Sequence, residues 1–577
     1  MLSNHFMSYL SALTATSVVG NYSDLKLDWW QKSVIYQVYP RSFKDSDEDG
    51  IGDLKGIEEM AEYFQYTGIG TIWLSPIFKS PMADFGYDIS DFNDIDETFG
   101  TMDDFKNLLN KLKLLGVRLL LDFVPNHSSD EHEWFKKSIK RIDPYTNYYI
   151  WKDGKADENG NRIPPNNWRS NFQGSAWEWS PERGQYYLHQ FTIKQPELNF
   201  RSPILLDEMK NVLRFWLDMG IDGFRVDAVP FIIEDEFFRD EPLLDPNSPD
   251  DNLSYNLLNH IYTRDQLMTY EIIEEFREVL DEFTAKDGNT RLLLTEAYAP
   301  MNFTMLYYSQ EKPRAHMPFN FNFITYFNIS SSAEDINNII HLWLDNIPKG
   351  QWPNWVIGNH DNKRVASRLS QDMVDPMNML NMMLPGTAVT YNGEEIGMSD
   401  AYLRFDQTVD PWAKAFGPLN YNTVSRDPAR TPFHWNNTQN AGFSRLKKTW
   451  LPVNSNYWIN NLKLQKKNNK SYYKTYKKLV QLRKKPTISH GDLTTYVLSK
   501  WVFAFSRKLN GYEDYYIILN IGTEQEEITL NSCFSNLSKN INVQASSLNS
   551  VYKEGQIINP NDILVMTPKS SIVLSSE

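Results

Sequence analysis

Runs of apolar residues without polar alternation, rich in β-branched and aromatic side chains and bounded by turn formers, recur along most of the chain. They predict strands over Val34–Tyr39, Thr71–Ser75, Val117–Val124, Gly223–Val229, Leu292–Ala297, Met317–Phe321, Trp355–Gly358 and Thr387–Tyr391. Between most of them apolar residues return at helical spacing, as in Asp103–Leu115, Leu205–Met219 and Tyr270–Glu282. Unalternating strands separated by amphipathic helices imply a parallel sheet covered on both faces. Eight such units imply a closed (β/α)₈ barrel.

The rhythm breaks twice. The longest gap lies between the third and fourth strands, where 128–201 is rich in Trp, Tyr, Asn, Gly and Pro. It reads as a small inserted domain that splits the barrel into 29–127 and 202–486. After Pro486 the pattern becomes short alternating strands (Val502–Ser506, Tyr515–Asn520, Ile528–Leu530, Ile563–Thr567, Ser571–Leu574). An antiparallel C-terminal sandwich over 487–577 follows. Lys463–Lys485 holds ten Lys or Arg and no acid. Its Tyr472, Tyr476, Leu479 and Leu482 recur at helical spacing, so a last barrel helix with a solvated basic face is expected.

Composition narrows the function. Forty-one per cent hydrophobic and 23% charged residues describe a soluble globular chain, and no apolar stretch is long enough for an integral membrane segment. Against 58 Lys and Arg stand 73 Asp and Glu, a net charge of −15. That balance disfavours nucleic acid, anionic lipid and polyphosphate substrates. A lone cysteine, Cys533, excludes intramolecular disulfides and cysteine metal clusters. Aromatic residues reach 14%, a surplus that suits stacking on sugar rings. Residues 1–28 read as a leader or a degenerate signal segment, with a weak apolar run over Phe6–Gly20 and no preceding basic residue. Sequons at Asn21, Asn126, Asn252, Asn302, Asn328, Asn436, Asn469 and Asn536 favour a secreted glycoprotein.

Acidic and histidine residues collect at the ends of the predicted strands: Asp122, Asn126 and His127, Arg225 and Asp227, Glu296, then His360 and Asp361. Carboxylates at the ends of apolar strands are costly unless paired, and that is where barrel active sites lie. The stretches Val38-Tyr-Pro-Arg-Ser-Phe43, Asp122-Phe-Val-Pro-Asn-His127, Gly223-Phe-Arg-Val-Asp-Ala228, Thr295-Glu-Ala-Tyr298, Gly358-Asn-His-Asp361, Tyr391-Asn-Gly-Glu-Glu-Ile-Gly-Met398 and Ser425-Arg-Asp-Pro-Ala-Arg-Thr-Pro-Phe433 carry a resemblance. In these motifs, from Trp29 to the C-terminus, the chain resembles glycoside hydrolase family 13, the α-amylase superfamily. Within it the oligo-1,6-glucosidase-like α-glucosidases, and among them the insect maltases and sucrases, look nearest.

The resemblance implies a retaining α-glucosidase releasing glucose from maltose, sucrose or short maltooligosaccharides. It makes Asp227 the nucleophile, Glu296 the acid and then base, and Asp361 the group holding the 2- and 3-hydroxyls. Arg225, two residues before Asp227 on the same strand face, would keep that carboxylate ionised. Glu296, after three leucines, sits in drier surroundings that favour its protonated form. By the same resemblance Asp84, Tyr87, His127, His360 and Arg426 grip the terminal glucose, while Phe172 and Phe191 wall the pocket from the inserted domain.

Asp45-Ser-Asp-Glu-Asp-Gly-Ile-Gly-Asp53 alternates acids around a glycine turn, as calcium loops do. The resemblance assigns Asp45, Asp47, Asp49 and Asp53 side chains and the Ile51 carbonyl to a structural Ca²⁺, with Mg²⁺ as second choice. Two positions depart from or inflect the family pattern. Gln195-Pro-Glu-Leu-Asn199 carries Glu197 where relatives have Asp, and Ala228 leans towards α-1,4 linkages. A monomer or weak dimer is expected. Two alternatives use the same barrel: a transglucosylase or sucrose isomerase, and a non-catalytic heavy subunit of an amino-acid transporter.

Overall fold

The structure, a computed structural model, describes residues 15–18, 26–247, 254–309, 311–535 and 537–576, with only the backbone of 15–18. Eight parallel strands form its centre: β1 (Val34–Val38), β2 (Thr71–Leu74), β3 (Arg118–Phe123), β4 (Gly223–Val226), β5 (Leu292–Thr295), β6 (Met317–Pro318), β7 (Asn354–Val356) and β8 (Thr387–Tyr391). Their order in the sheet is β6-β5-β4-β3-β2-β1-β8-β7, which leaves β6 and β7 as the two unpaired edges. A side chain spans that seam. Asn354, wholly buried on β7, donates its amide to the Pro318 carbonyl at 2.6 Å and accepts from the Asn320 N–H at 2.9 Å. The barrel is thus closed by a side-chain amide standing in for a strand ladder, consistent with Pro318 lacking an N–H to give.

Helices cover the outside, among them α1 (Leu54–Glu59), α2 (Ala61–Thr67), α3 (Met102–Leu114), α4 (Pro203–Met219), α5 (Leu267–Asp287), α6 (Ala333–Leu344), α7 (Val374–Met383) and α8 (Tyr472–Arg483). Asp53 caps α1 and Thr101 and Asp104 form a capping box on α3, satisfying N–H groups that a helix start leaves free. The expected basic helix is two: Leu462–Lys467 and α8, with Tyr472, Tyr476, Leu479 and Leu482 buried.

Strand alternation sorts the side chains. Ile35, Trp73, Leu120, Leu292, Leu294, Met317, Val356 and Val389 fill the barrel interior. Their neighbours Tyr36, Ile72, Leu119, Leu121, Phe224 and Leu293 pack outward with the helices. Gly223 sits where β4 crowds β5: a Cβ there would lie 2.0 Å from the Leu292 carbonyl oxygen. Continuing the inward row one step beyond the apolar plug gives Gln37 after Ile35, Ser75 after Trp73, Asp122 after Leu120, Asp227 after Arg225 and Glu296 after Leu294. The period that packs the interior therefore also aims the polar groups into its mouth.

The segment between β3 and α4 carries a three-stranded antiparallel sheet (Trp151–Lys152, Gln185–Leu188, Trp177–Ser180) over its own core of Ile150, Trp168, Trp177, Tyr186 and Leu188. At the C-terminus β9 (Asp492–Val497), β10 (Val502–Lys508), β11 (Asp514–Asn520), β13 (Ile541–Ser546) and β15 (Ser571–Ser576) join one antiparallel sheet, faced by the pair β12 (Glu526–Thr529) and β14 (Ile563–Met566). Val502, Ala504, Tyr516 and Ile518 point towards β12 and β14, while Phe503, Phe505, Tyr515 and Ile517 pack with the barrel's outer core. The sequence pattern missed β9 and β13. Inside the expected leader, Ala15–Val18 pairs antiparallel with residues 493–496 of β9; the other residues of 1–25 lie outside the described residues. Asn126 of the second glycosylation motif is buried, whereas Asn302, Asn328 and Asn469 are exposed; Asn21, Asn252 and Asn536 lie outside the described residues.

Replacing Asn354 by Leu leaves the Pro318 carbonyl and Asn320 N–H buried and unpaired. The expected cost is about 2–4 kcal/mol, read as a lower urea midpoint, and an unchanged midpoint would refute the seam's contribution.

Candidate active site

β3, β4 and β5 run in register, with Arg225 beside Asp122 on one side and Leu294 on the other. The Arg225 guanidinium, 2% exposed, contacts three carboxylates: Nη1 lies 2.7 Å from Asp122 and 2.5 Å from Asp227, and Nη2 lies 2.9 Å from Glu296. One positive charge cannot balance three negative ones in a dry site, so protons must be retained. Burial pushes Glu296 up to about 8, with the charges of Asp227 and Asp361 adding to it and Arg225 opposing. Burial also raises Asp122 and Asp227, each opposed first by Arg225. Burial thus favours the protonated form of all three carboxyls, and the guanidinium opposes it in each.

Strand β4 ends abruptly here. Ala228 adopts φ 47° and ψ 36°, left-handed backbone unusual for a residue with a Cβ. The expected strand to Val229 therefore stops at Val226, and the turn aims the Ala228 N–H at Glu296 Oε2, 2.9 Å away. That bond and the guanidinium fix the Glu296 carboxyl from two sides.

Asp361 faces a different environment. Arg430 Nη2 lies 2.7 Å from it, His360 Nε2 3.4 Å and Arg426 Nη1 3.7 Å. Burial disfavours its charge, but the fixed cations Arg430 and Arg426 keep the carboxyl well below the usual carboxylate range. His360 itself is fully buried, and burial depresses it to about 3, so it is neutral. Gln37 contacts its Nδ1 at 2.8 Å and the Tyr87 hydroxyl its Nε2 at 2.7 Å, while the Tyr87 ring stacks parallel on the imidazole at 5.6 Å. Arg426 reaches on to Asp84 at 2.8 Å and Asp410 at 2.7 Å.

Asp84, Tyr87, His127, Phe172, Phe191, Asp227, Glu296, Asp361 and Arg426 line one cavity of about 380 Å³. Arg225 and His360 stand behind its wall, buried, and reach the cavity through the groups they touch. The Arg426–Asp84 pair forms part of the cavity lining. Phe172, from the inserted segment, stacks on Trp412 at 5.8 Å and meets Phe191 edge-on at 5.9 Å. Glu197 lies outside the cavity. It accepts from the Gln190 backbone at 2.9 Å and from the Asn126 amide at 3.1 Å, tying the inserted segment to the end of β3. Three groups escaped the sequence reading: Arg430, although its motif was visible, and Asp410 and Trp412, which lie in a loop without a motif.

Three of the four sequence-assigned metal carboxylates, Asp45, Asp47 and Asp49, converge, with one oxygen of each lying within 4.8 Å of the others. Asp53 points elsewhere, accepting from Ser46 N at 2.7 Å, Ser46 Oγ at 2.8 Å and Gly56 N at 2.7 Å as the cap of α1.

The sequence profile of the α-amylase catalytic domain matches residues 37–491. The chain belongs to the α-amylase family. A salivary α-glucosidase of Anopheles gambiae is 48% identical over 556 residues, covering 95% of this chain and 93% of that protein. Maltase 1 of Drosophila virilis is 46% identical over 558 residues, covering 96% of this chain and 88% of its own. Among solved structures, the α-glucosyl transfer enzyme XgtA has a TM-score of 0.83 at 32% identity, covering 96% of this chain and all of that one.

Arg225→Met strips the counter-ion from three buried carboxyls. Groups whose folded-state proton affinity is raised stabilise the fold at low pH and lose that contribution as pH rises through their folded values. The variant should therefore lose about 3–5 kcal/mol near pH 8 and much less near pH 5. Thermal unfolding at the two pH values checks this, and a pH-independent deficit would contradict it.

Proposed function

We propose that this α-amylase family member is an exo-acting, retaining α-glucosidase that removes the terminal glucosyl unit of maltose, sucrose or short maltooligosaccharides. One observation carries the reading: a single buried guanidinium holds two carboxyls, Asp227 and Glu296, side by side in the wall of one cavity. The α-glucosidase and maltase among the relatives support it.

In this reading Glu296 donates its proton to the glycosidic oxygen as that bond breaks, and Asp227 forms a covalent bond to the anomeric carbon. Glu296, now ionised, then takes a proton from water as the water displaces Asp227, restoring both groups. Arg225 stabilises Asp227 as leaving carboxylate in the second step. Asp361, ionised through Arg430 and Arg426, accepts hydrogen bonds from sugar hydroxyls, and Tyr87 supplies a flat face for the ring. A second reading, transfer of the glucosyl unit to a sugar acceptor, is favoured by the likeness to XgtA. Time-resolved product analysis on sucrose and maltose separates the two: free glucose supports hydrolysis, and new oligosaccharides outpacing it support transfer. The salivary relative and the exposed sequons support a secreted glycoprotein.

A structural Ca²⁺ at the 45–53 loop completes the reading. Burial and the crowding of acidic neighbours raise both Asp47 and Asp49, a penalty a divalent cation would relieve, and all donors are hard oxygens. Asp45, Asp47 and Asp49 would hold it with the Ile51 carbonyl, while Asp53 braces the loop through Ser46. Mg²⁺ is the second choice.

Asp227→Asn should lower kcat on p-nitrophenyl α-glucoside by at least about 10³-fold, and near-normal turnover would sink the assignment. Because Glu296 must be protonated to act, kcat/KM should fall as pH rises through about 8; the Glu296→Gln variant should lose that alkaline limb and be far less impaired on the activated nitrophenyl substrate than on maltose. EDTA treatment should lower Tm by several degrees, restored by Ca²⁺ better than by Mg²⁺; an unmoved Tm would remove the metal from the reading.

A further inference from the structure

A second cavity, about 430 Å³, opens where α8 meets the C-terminal domain. Catalysis makes no use of it, nor of the acid-free basic stretch Lys463–Lys485 whose helices border it. Lys474 and Lys478 stand one turn apart on α8, and Lys470 precedes its first turn; Lys553 comes from the opposite wall. The single acid on the walls, Glu554, is ion-paired with Lys478. Lys470 donates to the Ser550 carbonyl at 3.1 Å. Among the described residues, the Lys474 and Lys553 ammonium groups form no ion pair. Burial lowers the Lys470 ammonium, the buried Asp375 opposes this, and repulsion from Lys553 adds to it. The cleft thus carries four lysines from its two walls and one acid, which Lys478 already occupies.

The net charge of −15 repels anions at long range, but screening over about 8 Å at physiological salt leaves the local lysines dominant inside the cleft. The hollow is comparable in size to the sugar cavity and has cations on both walls, which suits a ligand with several separated charges. Lysine ammoniums are point donors suited to tetrahedral oxyanions. We propose that this interdomain cleft binds a polyvalent oxyanion carrying two or more sulfate or phosphate groups, bridging α8 and the C-terminal domain through Lys470, Lys474 and Lys553.

Isothermal titration of the full chain at low salt with a heparin-derived hexasaccharide, pyrophosphate and inorganic sulfate tests the proposal. The expected result is saturable binding of a multivalent probe at least about tenfold tighter than sulfate, with a loss of at least about tenfold in the Lys474→Gln/Lys553→Gln variant. Both positions are exposed, so the variant should fold and keep its turnover of p-nitrophenyl α-glucoside. Preference for the hexasaccharide assigns a sulfated ligand, and preference for pyrophosphate a polyphosphorylated one. No saturable binding, equal affinity for sulfate, or undiminished binding by the double variant would overturn it.

Discussion

The catalytic end of the barrel depends on one guanidinium. Arg225 is the only cation in direct contact with Asp122, Asp227 and Glu296 among the described residues, and it is too buried for water to share the load. One cation shared among three buried carboxyls leaves them under-neutralised, so protons are retained among them. Asp361 is kept out of this competition by its own arginines, Arg430 and Arg426, so it stays ionised whatever the shared group does.

The rest of the architecture holds that guanidinium in place. Arg225 lies on a four-residue strand clamped in register by β3 and β5, and Gly223 at its foot permits the close approach to Leu292. The polar mouth rests on an apolar plug built from the same alternating positions, so water is excluded from below. Closure of the barrel by Asn354 matters for the same reason: β6 is two residues long and cannot hold β7 by a ladder.

Much of this was legible in the sequence because it follows from periodicity. Eight apolar runs, the long gap after β3 and the change of pattern after Pro486 each have a direct physical cause in burial, and the strand-end acids stood out because such positions are costly. What the sequence hid depends on partners distant in the chain. Asp410 and Trp412 carry no motif; they matter because folding brings them to Arg426 and Phe172. The early end of β4 was equally hidden, since the residue in the left-handed turn is an alanine rather than a glycine or asparagine. The pairing of Ala15–Val18 with β9 was masked because a mildly apolar, Ser- and Thr-rich run fits an edge strand as well as a leader.

Ala228 also connects backbone strain to selectivity. It lines the cavity next to the nucleophile, and its left-handed backbone is what delivers an N–H to Glu296. A β-branched residue would resist that conformation and would also narrow the cavity beside the scissile bond. Pro230, Phe231, Arg264 and Tyr298 line the same cavity. Arg264 lies over the Phe231 ring at 4.8 Å and donates to the Tyr298 carbonyl. Because Tyr298 follows Glu296 by two residues, this contact ties the turn after Ala228 to the segment that carries Glu296.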